Sequence, residues 1–374
     1  MKYKILECIR QGQVGGGESH LLSLVANMNR EKFEPVVLSF TDGPMITELQ
    51  KAGVKTHIIP TTRPFDVFCW GKVKQLLRTE KPSLVHAHGT RAASNIFRSC
   101  RVQNIPWVYT IHGWSFHNDQ KPWVKTARIA GEKFLTGSSD QNISVSASNR
   151  DSGMKVLQGF RSVVVNNGID QSKFDPARYD RSLRETLGFS ADDIIILFIA
   201  RFNTQKQPLT LIRAFEKAVV NNPRLKLLMV GEGEQREEGI RLAGNSTARN
   251  EIRFLPFRSD VPELLAMADI YVLPSLWEGL PIGLLEAMSM GKPVIASRVD
   301  GTNEIIQHEM NGLLVSTENL ESELSQRIQQ MAGNQKLREE LGEAGRRTVI
   351  EKYNAETMTR EIENIYLKLI SNGI

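Results

Sequence analysis

The sequence predicts an α/β protein built from two doubly wound parallel sheets, and three observations carry that prediction. A chain of 374 residues exceeds what one hydrophobic core usually holds. Short β-rich runs alternate with longer amphipathic stretches, the rhythm of right-handed βαβ units. The rhythm then restarts beyond Asn167-Gly168-Ile169-Asp170, a turn signal followed by a polar, irregular stretch to Arg181. These place an N-terminal Rossmann-like domain at 1–168 and a C-terminal one at 169–354, facing each other across a cleft.

In the first half, strands are expected at Tyr3–Ile9, Glu34–Ser39, Lys55–Ile59, Leu84–Ala87, Trp107–Ile111, Gln141–Val145 and Ser162–Val165. Each combines β-branched and apolar residues between turn signals. Helical patterns fall between them at His20–Met28, Met45–Ala52, Gly71–Thr79 and Ala92–Cys100. The second half repeats the plan, with strands at Ile194–Ala200, Leu225–Val230, Ile252–Phe254, Ile270–Leu273, Pro293–Ala296 and Gly312–Val315. Its helices are Leu209–Val220, Val261–Ala266 and Pro281–Met290. From Leu320 the pattern is helical, and the last segment, about 355–374, is expected to pack back on the first domain.

Composition narrows the class. With 41% hydrophobic and 24% charged residues the chain can bury a core, which excludes a disordered protein. No apolar run approaches the ~20 residues that span a bilayer. The charged start MKYKILECIR reads as a first strand rather than a secretory signal. Cys8, Cys69 and Cys100 are odd in number and far apart, which argues for a reducing, cytoplasmic setting. Residues 1–168 hold 22 Lys+Arg against 12 Asp+Glu, a surplus of +10, while the remainder has 25 against 30. Such a first half suits an anionic partner, with a membrane surface or an anionic acceptor as candidates. Nucleic acid is not expected, because basic and aromatic residues do not interleave.

The chemistry-bearing residues follow predicted strands, where open α/β sheets bind ligands. Gln13-Val14-Gly15-Gly16-Gly17-Glu18 opens a helix and could bring backbone N–H groups to a phosphate. His86 and His88 alternate on one strand and offer metal-ligand chemistry, but no third ligand is specified. His112 ends the next strand, placed to meet a substrate hydroxyl. Arg201 and Lys206 follow a strand together, a fork and a point charge suited to a pyrophosphate. Gly231 and Glu232 begin a second loop built for close backbone approach.

The most specific segment is Pro274-Ser275-Leu276-Trp277-Glu278-Gly279-Leu280-Pro281-Ile282-Gly283-Leu284-Leu285-Glu286. Pro281 is expected to open a helix, with the N–H groups around Leu280–Leu284 left for an anion and Gly279 and Gly283 keeping them uncovered. Glu278 would precede this helix and Glu286 lie inside it, one suited to sugar hydroxyls and the other to a ribose diol.

These residues resemble the retaining glycosyltransferases of family four, with the GT-B fold. The resemblance rests on Glu278-x7-Glu286, Ala287-Met288, Gly291-Lys292-Pro293-Val294-Ile295-Ala296, Arg201 with Lys206, Gly16-Gly17, His112 and Gly231-Glu232-Gly233, and it spans essentially the whole chain. It implies a nucleoside-diphosphate sugar as donor, with Arg201 and Lys206 on the diphosphate and Glu286 on the ribose. Glu278 and His112 would meet the transferred sugar, and Phe257 and Arg258 would border the base. It implies retention of anomeric configuration and no cofactor; the chain has no Asp-x-Asp, which fits metal independence. The acceptor would be a glycan or lipid-linked precursor, met in the cytoplasm at the inner membrane face. Alternatives are transfer to a small soluble acceptor, a nucleotide-sugar epimerase, or a non-catalytic nucleotide-sugar-binding subunit. Two stretches depart from the family pattern: Asp300-Gly301 where many relatives carry Gly-Gly, and Gln207 where a glycine is commoner.

Overall fold

A computed structural model describes residues 2–12, 15–116, 120–220 and 222–372. The chain divides into two compact units, residues 1–168 with 355–374, and residues 169–354. The first unit holds β1 (Tyr3–Ile9), β2 (Phe33–Ser39), β3 (Lys55–Ile58), β4 (Leu84–His88), β5 (Trp107–Ile111), β6 (Gln141–Ser144) and β7 (Val163–Val164). They form one parallel sheet in the order β3-β2-β1-β4-β5-β6-β7. The second unit holds β8 (Ile194–Ile199), β9 (Leu225–Val230), β10 (Ile252–Leu255), β11 (Ile270–Leu273), β12 (Val294–Ser297) and β13 (Leu313–Val315). These are again parallel, in the order β10-β9-β8-β11-β12-β13.

Both sheets are wound outward in two directions from a central pair, β1 and β4 in one and β8 and β11 in the other. The strand order reverses there, so the crevice outside the carboxyl ends of each pair is the natural ligand position of its sheet. Parallel sheets need cover on both faces, which is why β4, β5, β11, β12 and β13 are buried throughout. In the second unit Phe198, Met229, Val272, Ile295 and Leu313 pack with Leu211, Phe215, Leu324 and Ile328 of flanking helices.

Several helices go beyond what apolar periodicity announces. Ala147–Val156 is polar and poor in helix formers; it starts because Ser146 accepts from the Asn149 N–H at 3.0 Å. Asp300–Ile305 contains a glycine and is held at its start by the Thr302 hydroxyl, which accepts from the Val299 N–H at 3.1 Å. Pro281 does not open its helix as expected. It immediately precedes Ile282–Ser289, with an extended ψ of 111°.

The final helix, Ala355–Asn372, belongs to the first unit. Met358, Ile362, Tyr366 and Ile370, spaced four apart, make one stripe that packs on Ile5, Leu84, Val108 and Ile143 of β1, β4, β5 and β6. Each such side chain contributes about 1.5–3 kcal/mol on burial, enough to hold a helix that is marginal alone. Ile362 is fully buried, so Ile362→Ala should cost about 2–5 kcal/mol in urea unfolding. The same change at exposed Arg360 should stay within about 0.5 kcal/mol.

Candidate active site

In the second unit the carboxyl ends of β8 and β11 bring two sequence-distant segments together. Beyond β8 the chain turns through Thr204–Lys206, where Asn203 accepts from the Lys206 N–H at 3.0 Å. Beyond β11 it runs through Ser275–Glu278, and the two segments are stitched. Leu276 N–H donates to Gln205 O at 2.8 Å, and Gln205 Nε2 donates to Trp277 O at 2.7 Å. The result is an ion pair between Lys206 Nζ and Glu278 Oε1, with side chains 20% and 8% exposed. Lys206 therefore has a carboxylate partner before any ligand arrives, while the Arg201 side chain stands exposed. Gln207 adopts φ 53°, the left-handed conformation that glycine takes without penalty. Its side chain offsets that strain, donating to Thr204 O at 2.7 Å and accepting from Thr210 Oγ1 at 2.6 Å.

Gly231 and Gly233 do serve close backbone approach, but to the protein itself. A Cβ on Gly231 would lie 2.1 Å from Ala200 O, and one on Gly233 2.3 Å from Phe202 O; their φ angles are 140° and 152°. The loop clamps the backbone that carries Arg201, with Phe202 N–H donating to Glu232 O at 2.9 Å. The exposed Glu232 carboxylate lies 3.7 Å from Arg236. Asp260 holds the Arg258 guanidinium on both of its oxygens. Phe257 stays 43% exposed.

Around the Ile282–Ser289 helix, Leu280, Ile282 and Leu284 bury their side chains and leave only backbone for a ligand. Leu284 N–H is already spent on Pro281 O at 3.2 Å, so the open donors of the first turn narrow to Ile282 and Gly283. The Cα of Gly283 faces the Tyr271 hydroxyl, where a Cβ would come within 2.8 Å. Gly301 N–H donates to Glu278 O at 3.3 Å, and a Cβ there would meet Gly279 O at 2.3 Å. Gly301 is thus needed for contact with the segment that carries Glu278 and Gly279, whatever precedes it. Glu286 is half-buried; burial pushes its carboxyl up to about 7, against a smaller opposing pull from Lys173. Lys292 is spent on the carbonyls of Ala266 and Ala268, at 2.9 and 3.0 Å.

In the first unit, Gly16 and Gly17 open the helix Gly16–Asn27, while Gln13 and Val14 lie outside the described residues. The start of this helix already carries a buried carboxylate, Glu18, 3.5 Å from Arg10. That occupies much of the attraction the helix start would offer a phosphate. Gly17 instead faces His112, whose Cδ2 would lie 3.4 Å from an added Cβ.

His112, just beyond β5, belongs to a cluster with His86 and His88 of β4, Glu7 of β1, and His20 of the helix Gly16–Asn27. Glu7 sits beside His86 in the β1–β4 register. Glu7 Oε2 is 2.9 Å from His88 Nε2 and 3.2 Å from His86 Nδ1, and Tyr366 Oη donates to Glu7 Oε1 at 2.8 Å. His86 also reaches Tyr366 Oη at 2.6 Å and Thr110 Oγ1 at 2.7 Å. Burial alone would raise Glu7; His86 and His88 more than reverse it and hold the carboxyl below its ordinary range. Burial lowers His88 to about 4 and His20 to about 3, and lowers His112 well below its usual value. These imidazoles are therefore neutral. Two sets, His20-His88-His112 and Glu7-His86-His88, bring ligand-type atoms within 4.8 Å and could hold a divalent cation. Both nitrogens of His86 and of His88 already have hydrogen-bond partners, however, so the protein completes this arrangement itself.

Glu7 and Tyr366 are absent from the sequence-level candidates. A lone carboxylate amid the apolar strand YKILECI was the available signal for Glu7. Tyr366 shows only as one more member of an apolar helical stripe.

Comparison with known proteins bears on the family and the fold. The family model described as glycosyl transferases group 1 matches residues 180–348, and that of glycosyltransferase family 4 matches 14–173. The UDP-Gal:alpha-D-GlcNAc-diphosphoundecaprenol alpha-1,3-galactosyltransferase of Escherichia coli is 25% identical over 354 residues, 91% of each chain. The putative glycosyltransferase EpsD of Bacillus subtilis is 30% identical, over 82% of this chain and 83% of its own. Among solved structures, HepE of Anabaena in complex with UDP and glucose has a TM-score of 0.86 at 21% identity, covering 98% of this chain and 100% of that one.

The raised Glu286 carboxyl fixes a pH dependence. Its folded value of about 7 exceeds the ordinary 4.5, so between those limits the folded state keeps a proton that the unfolded state has lost. Stability therefore falls as pH rises from about 4.5 to about 7 and is flat beyond. The difference in unfolding free energy between the native chain and Glu286→Gln, measured in urea across that window, should decline by this component.

Proposed function

Because the chain belongs to the group 1 glycosyltransferases and has their GT-B fold of two parallel-sheet α/β domains, we propose the following reaction. It moves a sugar from a nucleoside-diphosphate sugar to a lipid-linked or glycan-precursor acceptor, retaining the anomeric configuration and using no metal ion. The observation that carries this reading is the Lys206–Glu278 pair at the carboxyl ends of β8 and β11. A cation and a carboxylate held there, in largely desolvated positions, are poised to part on a donor: Lys206 turns to the diphosphate and Glu278 to the sugar.

In this reading Arg201 and Lys206 stabilise the diphosphate as negative charge grows on it during departure. Their charges do the work otherwise given to a metal ion, and the chain has no Asp-x-Asp to bind one. Glu286 accepts from the ribose hydroxyls once ionised, and the N–H groups of Ile282 and Gly283 meet phosphate or sugar. Phe257 borders the base. His112 takes a substrate hydroxyl. HepE, similar in fold, was solved in complex with UDP and glucose, which makes UDP-sugars the donors to try first.

The acceptor side rests on three observations. The Escherichia coli relative is named for a diphosphoundecaprenol-linked acceptor. The first 168 residues carry a +10 surplus. That unit also exposes apolar side chains unusual for a solvated face, Phe68 at 88%, Trp123 at 70% and Val67 at 56%, with Lys121 and Lys125 flanking Trp123 in sequence. Aromatic residues beside lysines suit the headgroup layer of an anionic membrane. No helix among the described residues is long and apolar enough to cross one, so the association proposed is peripheral, at the cytoplasmic face.

UDP-sugars should raise the melting temperature of the purified chain, and transfer should persist in EDTA and give product of unchanged anomeric configuration by NMR. Lys206→Ala should lower turnover about 100-fold or more in a chain that still folds, with some loss of melting temperature from the unpaired Glu278. Turnover equal to that of the native chain would remove Lys206 from the mechanism. Phe68→Ser with Trp123→Ser should weaken co-sedimentation with anionic liposomes, and added salt should weaken it in the native chain. Binding indifferent to both changes would leave the acceptor to be met in solution.

A further inference from the structure

We infer that Glu7, braced by Tyr366 of the returning C-terminal helix, acts through His88 as a positioning residue that fixes the tautomer of His112. His112 then carries its proton on Nε2 and offers Nδ1 as a hydrogen-bond acceptor for a substrate hydroxyl. The use of that acceptor in transfer rests on the proposed glycosyltransferase reaction; the tautomer itself does not.

Each step is forced by donor and acceptor counting. An ionised carboxylate only accepts, so His88 Nε2, 2.9 Å from Glu7 Oε2, must be the protonated nitrogen. A neutral imidazole has one donor and one acceptor, which leaves His88 Nδ1 as a lone pair. His112 Nε2 lies 3.2 Å from it and must therefore donate. By the same rule His112 Nδ1 is unprotonated. The second oxygen of Glu7 accepts from Tyr366 Oη at 2.8 Å, and that hydroxyl in turn accepts from His86 Nδ1 at 2.6 Å. His86 Nε2 is then free to accept from Thr110 Oγ1 at 2.7 Å. Both arms of the network thus donate toward Glu7, one from His112 through His88 and the other from Thr110 through His86 and Tyr366.

The surroundings hold the ring in place as well. His88 and His112 stack at 5.4 Å with an interplanar angle of 21°, and His20 packs edge-on to His112 at 4.8 Å. His20 is itself oriented by Asn167 Oδ1 at 2.9 Å from its Nδ1. Glu7, His86 and His88 are at most 1% exposed, so water does not compete for these bonds. The alternative wiring needs His88 as an imidazolium, which would reverse the last bond and put the proton on His112 Nδ1. That would set a positive charge among three neighbouring imidazoles in a buried site, the costlier arrangement.

The test is nitrogen-15 NMR of the full chain labelled at histidine, with His112 assigned by its loss in His112→Gln. In the native chain without ligand, His112 should show an unprotonated Nδ1 and a protonated Nε2. A protonated Nδ1 would overturn the relay outright, with no variant required. In Glu7→Gln the carboxamide donates as readily as it accepts, so His88 loses its directing partner and the Nδ1–H form of His112 should appear. Tyr366→Phe keeps the carboxylate and should keep the native tautomer, whereas a merely structural role would let both variants disturb His112 alike. With a competent donor and acceptor, Glu7→Gln should lower turnover by roughly tenfold or more. UDP affinity, which the second unit supplies, should be unchanged. Should no transfer be detectable in the native chain, the glycosyltransferase reading fails while the NMR result still decides the relay.

Discussion

Glu7 is a carboxylate without access to solvent, in the middle of a parallel strand, and the first unit is organised around satisfying it. Removing such a charge from water costs several kcal/mol unless donors surround it. Its donors come from β4 through His88 and from the last helix through Tyr366, with His86 Nδ1 3.2 Å away and bonded to that tyrosine. The acid therefore joins residues 7, 86, 88 and 366, from nearly opposite ends of the chain, in one network. The apolar stripe of Met358, Ile362 and Ile370 secures the C-terminal helix, and the tyrosine among them sets its register against the sheet. The acid stays ionised because the bonds on both sides of it donate inward, from His88 and from Tyr366.

The second unit meets a different constraint. Its switch point between β8 and β11 must present charged side chains beyond strands that carry no charge of their own. The segment bearing Arg201 and Lys206 is too short and polar to pack alone, so it is clamped from one side by Gly231 and Gly233 and stitched on the other to Leu276 and Trp277. Gln207 takes a left-handed conformation to turn that segment into its helix. Glycines that look free to receive a ligand are instead occupied by the protein's own backbone, and the ligand-facing chemistry passes to side chains. The partly buried Glu286, pushed toward neutrality, and the Lys206–Glu278 pair are both charges held in readiness rather than at rest in water.

The sequence by itself determined the two parallel sheets, because buried strands alternating with helices admit few other solutions, and the strands of the described residues lie where β-rich runs place them. It also determined the family, since Glu278-x7-Glu286 with Arg201 and Lys206 is a spacing pattern read along one chain. What it could not supply was partnership. That Lys206 meets Glu278, that Asp260 takes Arg258, that Leu284 N–H is spent on Pro281, and that Gly231 faces Ala200 are contacts invisible to composition and period. The polar helices Ala147–Val156 and Asp300–Ile305 escaped for a related reason, being held by capping and tertiary contacts rather than by an apolar stripe. His112 was legible as a strand-end histidine; the acid and tyrosine that orient it became visible only when strand register set Glu7 beside His86 and the last helix folded back over both. Hydrogen-bond direction is a property of neighbours in space, and only the tertiary structure chooses those.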